Sequence, residues 1–308
     1  MDLYSVCTPE NEAWQSELYT AFHYQTEDGT TKTVFRYQIP FTADMESELQ
    51  IKYGMDPADR LPFYEKLLTG IQHQIEIGNY LLHHSVPSIL AFTDAQQYQE
   101  DNITYILLET EEVLPIRMKL MAHEINAITL LDALIRLCVI IRDINSEKVG
   151  VSHRGLDLDS VYINKENKIL LSGFYYAHGP QTEGMTIHEI PSYLPILPPH
   201  LAHEVARGDV GSYGSDTQVL AKIAWNLFSG DPYDAELTDS RMVFPEYATE
   251  EIVAALTIGL SGKDEVCNLF RRKLLECRKQ LNLTEYANLM IPVREKRLVS
   301  FRDEYVQP

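Results

Sequence analysis

The first third of the chain alternates apolar and polar positions. Segments 4–8 (YSVCT), 17–25 (ELYTAFHYQ) and 32–41 (KTVFRYQIPF) are rich in Val, Tyr, Phe and Thr and read as strands, separated by the turn-like runs PENEAWQS and TEDGT. Asp28-Gly29, between two alternating runs, is a hairpin signal. From about Pro62 to His83 the apolar residues follow helical spacing, and Pro87 stops any continuation. SILAFTDA and NITYILLET, on either side of Asp101-Asn102, predict two more strands. Five strands and one helix are therefore expected before Thr110.

Beyond that point the period changes. LPIRMKLMAHEI is amphipathic, and AITLLDALIRLCVIIRDINSE places apolar residues on more than one helical face, which predicts a central buried helix. Short strand-like runs return between 149 and 180 as VGVSH, SVYINK and KILLSGF, and the Pro-rich IPSYLPILPPH resists regular structure. SDTQVLAKIAWNLFSG predicts a helix with Ser215 as N-cap and Gly230 just past its end, followed by helices over about 249–260 and 264–281. The expected class is α+β: a small β-rich lobe over 1–110 joined to a larger helical lobe over 111–308, with 282–308 read as a tail.

Charge narrows the functions. With 308 residues and a formal net charge of −19, the chain offers no basic face for a phosphate backbone, so nucleic acid and anionic membrane are not expected as partners. No stretch is long and apolar enough to suggest a membrane span within the chain, and no N-terminal signal is recognisable. Cys7, Cys138, Cys267 and Cys277 are scattered without zinc-ligand spacing, which fits a reducing, cytoplasmic compartment. The end, LVSFRDEYVQP, does not read as a packed terminus and leaves a longer native chain open.

The order of elements and several motifs resemble the eukaryotic-type protein-kinase family, over about residues 15–280. The best segment is INSEKVGVSHRGLDLDSVYINKENKILLSGF: His153 and Arg154 match the first two positions of the H-R-D-L-x-x-x-N catalytic loop, and Leu156 matches the fourth. Ala202-His203-Glu204-Val205 resembles the A-P-E segment. Asp216 stands at the start of a strong helix, where a family Asp holds the catalytic-loop backbone. ITYILLETEE resembles the strand and hinge between lobes, with the hinge near Glu109–Glu112.

The resemblance implies a kinase fold whose chemistry has been lost. Gly155 stands at the position of the catalytic base, Asp157 replaces a lysine, Ser160 replaces the metal-holding Asn, and Ser172-Gly173-Phe174 lies at the D-F-G site, with Ser172 in place of the metal-binding Asp. The segment between the first two expected strands, PENEAWQSE, contains no glycine and cannot cradle phosphates. The third-strand lysine corresponds to Arg36 or Gln38, depending on register, and Glu76 is a helix partner for Arg36 should Arg36 face inward. His153, Arg154, Glu204 and Asp216 are read as structural, with Glu204 paired to Arg271 or Arg272.

The expectation is a pseudokinase: a non-catalytic module that binds, scaffolds or regulates a protein partner. No cofactor is expected. ATP is left as an option, with Arg36, Gln38 and Glu76 as the nucleotide candidates, and no Mg²⁺ or other metal site is expected. The alternatives are a divergent kinase-like transferase with an altered metal site at Asp157, Asp159 and Glu166, and a nucleotide sensor that binds ATP without chemistry.

Overall fold

The chain enters its first sheet at β1 (Glu12–Gln15), a segment expected to be a turn. Trp14 decides this: buried between the edges of His23 and Phe35, it fastens EAWQ to the sheet. The expected strand at 4–8 is instead bends and turns leading into a 3₁₀ turn at Pro9–Asn11. The computed structural model describes residues 2–16, 18–44, 46–47, 60–179, 213–229, 249–261 and 267–281.

β2 (Thr20–Gln25) and β3 (Thr31–Ile39) form the hairpin foreseen at Asp28-Gly29, with Gly29 at φ 81°. Helix α1 (Arg60–His83) follows, then β4 (Asp94–Glu100) and β5 (Ile103–Glu111), joined at Asp101-Asn102. The five strands make one antiparallel sheet in the order β1-β2-β3-β5-β4. SILAFTDA forms a strand only from Asp94; upstream, Ile89 makes a single parallel bridge to Leu171. Leu67, Ile71, Ile77 and Leu81 of α1 are fully buried, as the helical spacing requires.

Three short strands build a second sheet: β6 (Val113–Pro115), β7 (Val161–Asn164) and β8 (Ile169–Leu171), in that order. LPIRMKLMAHEI is helical only in α2 (Ile116–Met121). VGVSH forms no strand, only a bridge from Ser152 to His178. Helix α3 (Ala127–Ile144) is the buried central helix; Asn126 caps it by accepting from the Thr129 N–H at 2.8 Å. Helices α4 (Tyr213–Ser229) and α6 (Asn268–Leu281) pack on α3, and α5 (Glu250–Leu260) packs against both of them.

Helix α4 begins two residues before the expected N-cap Ser215, which lies inside its first turn; Gly230 is outside the described residues. The architecture is α+β, with apolar clusters under the five-stranded sheet and around α3. No helix among the described residues is long and apolar enough to cross a membrane.

Candidate functional site

A buried carboxylate from outside it anchors the loop between α3 and β7. Asp216, fully buried in the first turn of α4, accepts from the backbone N–H of His153 at 2.7 Å and of Arg154 at 2.9 Å. It also accepts from Asn145 Nδ2 at 3.0 Å and Ser152 Oγ at 3.3 Å. The loop backbone has no ladder to satisfy its donors here, so the carboxylate supplies their acceptors. Arg154 sits at φ 60°, an unusual conformation for a side-chain-bearing residue that this anchor over-determines.

His153 is completely buried. Its Nε2 meets the Ser172 carbonyl at 2.7 Å, and its ring lies 4.6 Å from that of Phe174. Nε2 therefore carries the proton, and the unpartnered Nδ1 is the bare nitrogen of a neutral imidazole. Burial holds its pKa below the ordinary value, outweighing the nearby Asp216 charge. A depressed histidine pKa gives stability that is present above the unfolded value, about 6.5, and lost as pH falls below it. Chemical denaturation at pH 7.5 and 5.5 should show stability falling with pH, and His153→Gln should shrink that fall.

The positions beside this anchor serve local structure. Asp157 caps the 3₁₀ turn Leu158–Ser160: its Oδ1 accepts from the N–H groups of Asp159 and Ser160, both at 2.9 Å. Ser160 Oγ accepts from Asp157 N at 3.0 Å and donates to the Asp157 carbonyl at 2.7 Å, closing a capping box. Asp159 is ion-paired to Arg117 at 2.6 Å. Gly173 adopts φ 78°, and a Cβ there would lie 2.8 Å from Ser160 Cβ, so only glycine fits. A Cβ on Gly155 would lie 3.2 Å from the Tyr176 ring. No group of three His, Cys, Asp or Glu among the described residues could hold a metal ion.

The third strand corrects the expected register. Phe35, Tyr37 and Ile39 face inward, so Arg36 and Gln38 both turn to the opposite face. Arg36 lies over the Phe22 ring at 4.7 Å and near Tyr105 at 5.9 Å, while Glu76 on α1 is exposed. The Arg36–Glu76 pair does not form, and neither Arg36 nor Gln38 reaches the inner face. Tyr37 occupies that place: its hydroxyl accepts from Gln74 Nε2 of α1 at 3.1 Å and pairs with the Tyr175 hydroxyl at 2.7 Å. A neutral hydrogen-bonded chain thus joins β3, α1 and the segment after β8.

A second tyrosine pair ties the two sheets together. Tyr19 of β2's approach and Tyr162 of β7 share a hydrogen bond at 2.6 Å, and Phe35 packs against both rings, with centroids at 4.9 and 5.7 Å. Burial pushes the Tyr37 phenol up to about 12 and also raises those of Tyr19, Tyr162 and Tyr175, so all four stay neutral at any physiological pH. These rings fill the space between the five-stranded sheet and the helical part. The gap left beside Tyr19, Gly155, Asp157, Ser160, Gly173 and Tyr175 is only about 40 Å³, little more than one water molecule.

The turn between β1 and β2 is equally closed. Ser16 Oγ accepts from the N–H groups of Leu18 and Tyr19 at 3.1 and 3.2 Å, and Ser16 N donates to the Tyr19 carbonyl. The loop is shorter than the PENEAWQSE expected, because EAWQ belongs to β1. A larger cavity of about 740 Å³ lies outside Tyr19, walled by Trp14, Pro115, Met118 and the Arg117–Asp159 pair. Glu204 is outside the described residues, and so is any pairing it makes.

Sequence reasoning brought His153, Arg154, Gly155, Asp157, Ser160, Ser172 and Asp216 to one place. It missed Tyr19, Tyr37, Tyr162, Tyr175 and Gln74; the available signal was the abundance of tyrosine, 18 residues, on strand-like runs. No protein-family model matches the chain, and no curated protein matches it.

Proposed function

We propose that this chain is a pseudokinase, a bilobal kinase-like fold that acts by binding a protein partner and carries out no phosphotransfer. The supporting observation is the closed inner part of the cleft: beside Gly155 and Ser160, the positions that correspond to the base and the metal-holding Asn of the resembling family, Tyr19, Tyr162 and Tyr175 leave about 40 Å³.

Phosphoryl transfer relies on positioned charge: a metal-holding acid, a base and a cation at the phosphates. Here the inward third-strand residue is Tyr37, the helix residue facing it is Gln74, and Asp157 is used as a cap. The N–H groups of Leu18 and Tyr19, at the turn where phosphates would lie, are taken by Ser16 Oγ. The anchoring of the His153–Arg154 backbone by Asp216 supports the kinase-like reading of the loop, since that contact needs no catalysis to be useful.

A phosphotransfer assay with radiolabelled ATP and a generic protein substrate tests this. No transfer is expected above a no-protein control. Gly155→Asp, which puts a carboxylate at the position of the base, is expected to restore nothing and to lower stability by about 1–3 kcal/mol as its side chain presses on Tyr176. Transfer that a point change at Asp157 or Asp159 abolishes would overturn the proposal. The 740 Å³ outer cavity favours one alternative, a nucleotide sensor binding outside Tyr19; the Asp44 carboxylate on its wall opposes a triphosphate there, the Asp159 charge being offset by its ion pair with Arg117.

A further inference from the structure

Strand β4 is the outer edge of the five-stranded sheet, and among the described residues no strand pairs with its free side. Six of its seven residues are exposed. The Asp101-Asn102 turn has both residues at positive φ, 48° and 66°, which makes a two-residue hairpin loop. Glu100 and Ile103 are then the hydrogen-bonded pair that closes it, and the antiparallel ladder alternates from there without a bulge. Ala95, Gln97 and Gln99 accordingly turn their backbone N–H and C=O groups away from β5, the Ala95 N–H donating to Asp94 Oδ1 at 2.8 Å.

Natural sheets commonly blunt such an edge with proline, lysine or a bulge. β4, with the sequence DAQQYQE, has none of these; its charged residues are the acids at its two ends, Asp94 and Glu100, and Asp101 follows. The strand is also braced in advance. Leu3 N donates to Gln96 Oε1 at 3.0 Å, the Tyr4 hydroxyl donates to Glu100 at 2.8 Å, and the Tyr4 ring stacks on Tyr98 at 4.1 Å. A partner that adds to this edge does not bear the cost of ordering it.

We propose that β4 is a docking edge for an extended basic segment of a partner protein, which joins the sheet as a sixth strand by main-chain hydrogen bonds. Charge selects the occupant. Lysine or arginine opposite Asp94 and Glu100 relieves two exposed acids on a chain of net charge −19, and an apolar residue opposite Tyr98 extends the aromatic face. A second copy of this chain fits poorly: antiparallel self-pairing centred on Gln97 sets Asp94 against Glu100 at both ends, and like charges directly opposite are destabilising.

The inference rests on the reading of the chain as a protein-binding module. The two fail separately, because phosphotransfer would overturn that reading without touching β4. The test uses the full chain and the peptide Ac-Lys-Thr-Phe-Thr-Thr-Thr-Lys-NH₂, with amide hydrogen exchange followed residue by residue. Saturating peptide should slow exchange at Gln97 and Gln99 by about tenfold or more, as outward amides gain acceptors. A version with Glu in place of Lys should bind at least about tenfold more weakly at low salt.

Gln97→Pro removes one outward N–H and leaves the β4–β5 ladder intact, so the variant should keep its fold and lose the peptide, while Gln97→Thr keeps both. Unchanged exchange at these two amides would overturn the docking edge. So would peptide binding that survives in a folded Gln97→Pro variant. Concentration-dependent dimerisation that Gln97→Pro abolishes would assign the edge to a second copy and overturn the peptide reading. The exchange measurement on the unmodified protein decides the matter even if Gln97→Pro does not fold.

Discussion

Asp216→Ala should destabilise the protein by about 3–5 kcal/mol, the range for removing one partner from a buried charged network. The carboxylate accepts from two backbone N–H groups, the Asn145 amide and the Ser152 hydroxyl, and all of these are buried. Alanine removes the acceptor of both backbone N–H groups and of the Ser152 hydroxyl, while Asn145 Nδ2 keeps its bond to the Val151 carbonyl at 2.7 Å. A domain is commonly stable by about 5–15 kcal/mol, so the loss is a large share of the whole. Asp216→Asn tests the charge apart from the shape: it keeps one acceptor oxygen but points an NH₂ group at donors, and it should recover only part of the loss. Urea unfolding of the three proteins measures this. Equal stability of Asp216→Ala and the unmodified protein would remove Asp216 as the anchor of the 152–154 loop.

Tyr162→Ala is the second large effect, expected at about 3–5 kcal/mol by comparison with other large aromatic-to-alanine changes in cores. Tyr162 is 3% exposed, packs on Phe35 and is hydrogen-bonded to Tyr19. Its removal leaves a void in the middle of the cleft and orphans the Tyr19 hydroxyl. Tyr162→Phe keeps the ring and should cost about 1–2 kcal/mol, the value of a single unmade buried hydrogen bond. The void has a shape that can be probed. Phenol carries the lost ring and hydroxyl, so millimolar phenol should raise the melting temperature of Tyr162→Ala and leave that of the unmodified protein unchanged. Stabilisation of both proteins alike would mean that the cleft already has room for a ring.

The parts of this fold that were legible in the sequence are those with a single strong local cause. The Asp28-Gly29 and Asp101-Asn102 turns each adopt the positive φ their residues tolerate, and the apolar spacing of α1 and α3 matches what they bury. β1 was illegible because its one decisive residue, Trp14, draws its stability from Phe35 and His23, which are distant in sequence. The register of β3 was ambiguous for a related reason. Val34 and Phe35 are both buried, since Leu3 covers the outer face above Val34, Tyr24 and Leu107. With both faces apolar, alternation no longer marks the inner side, and Arg36 could not be placed.

The site followed the same division. The loop at 153–160 stands in one continuous segment, and its residues can be singled out from the sequence alone. The tyrosines of this cluster come from the turn before β2, from β3, from β7 and from the turn after β8, and each alone is an ordinary strand-forming residue type. Only their convergence gives them meaning, and nothing local in the sequence encodes it. The same holds for Gln74, which differs from exposed Glu76 only in facing Tyr37.

The most direct test of the account is thermal unfolding of the full chain with millimolar ATP, with Mg²⁺ or with EDTA. A ligand at 100 times its Kd adds about 2.7 kcal/mol, which moves the midpoint of a chain this size by roughly a few degrees. A cleft filled by Tyr19, Phe35, Tyr37, Tyr162 and Tyr175 predicts no movement in either condition. A rise of a few degrees with ATP would contradict it: with EDTA it would point to a nucleotide sensor, and only with Mg²⁺ to a metal-dependent transferase.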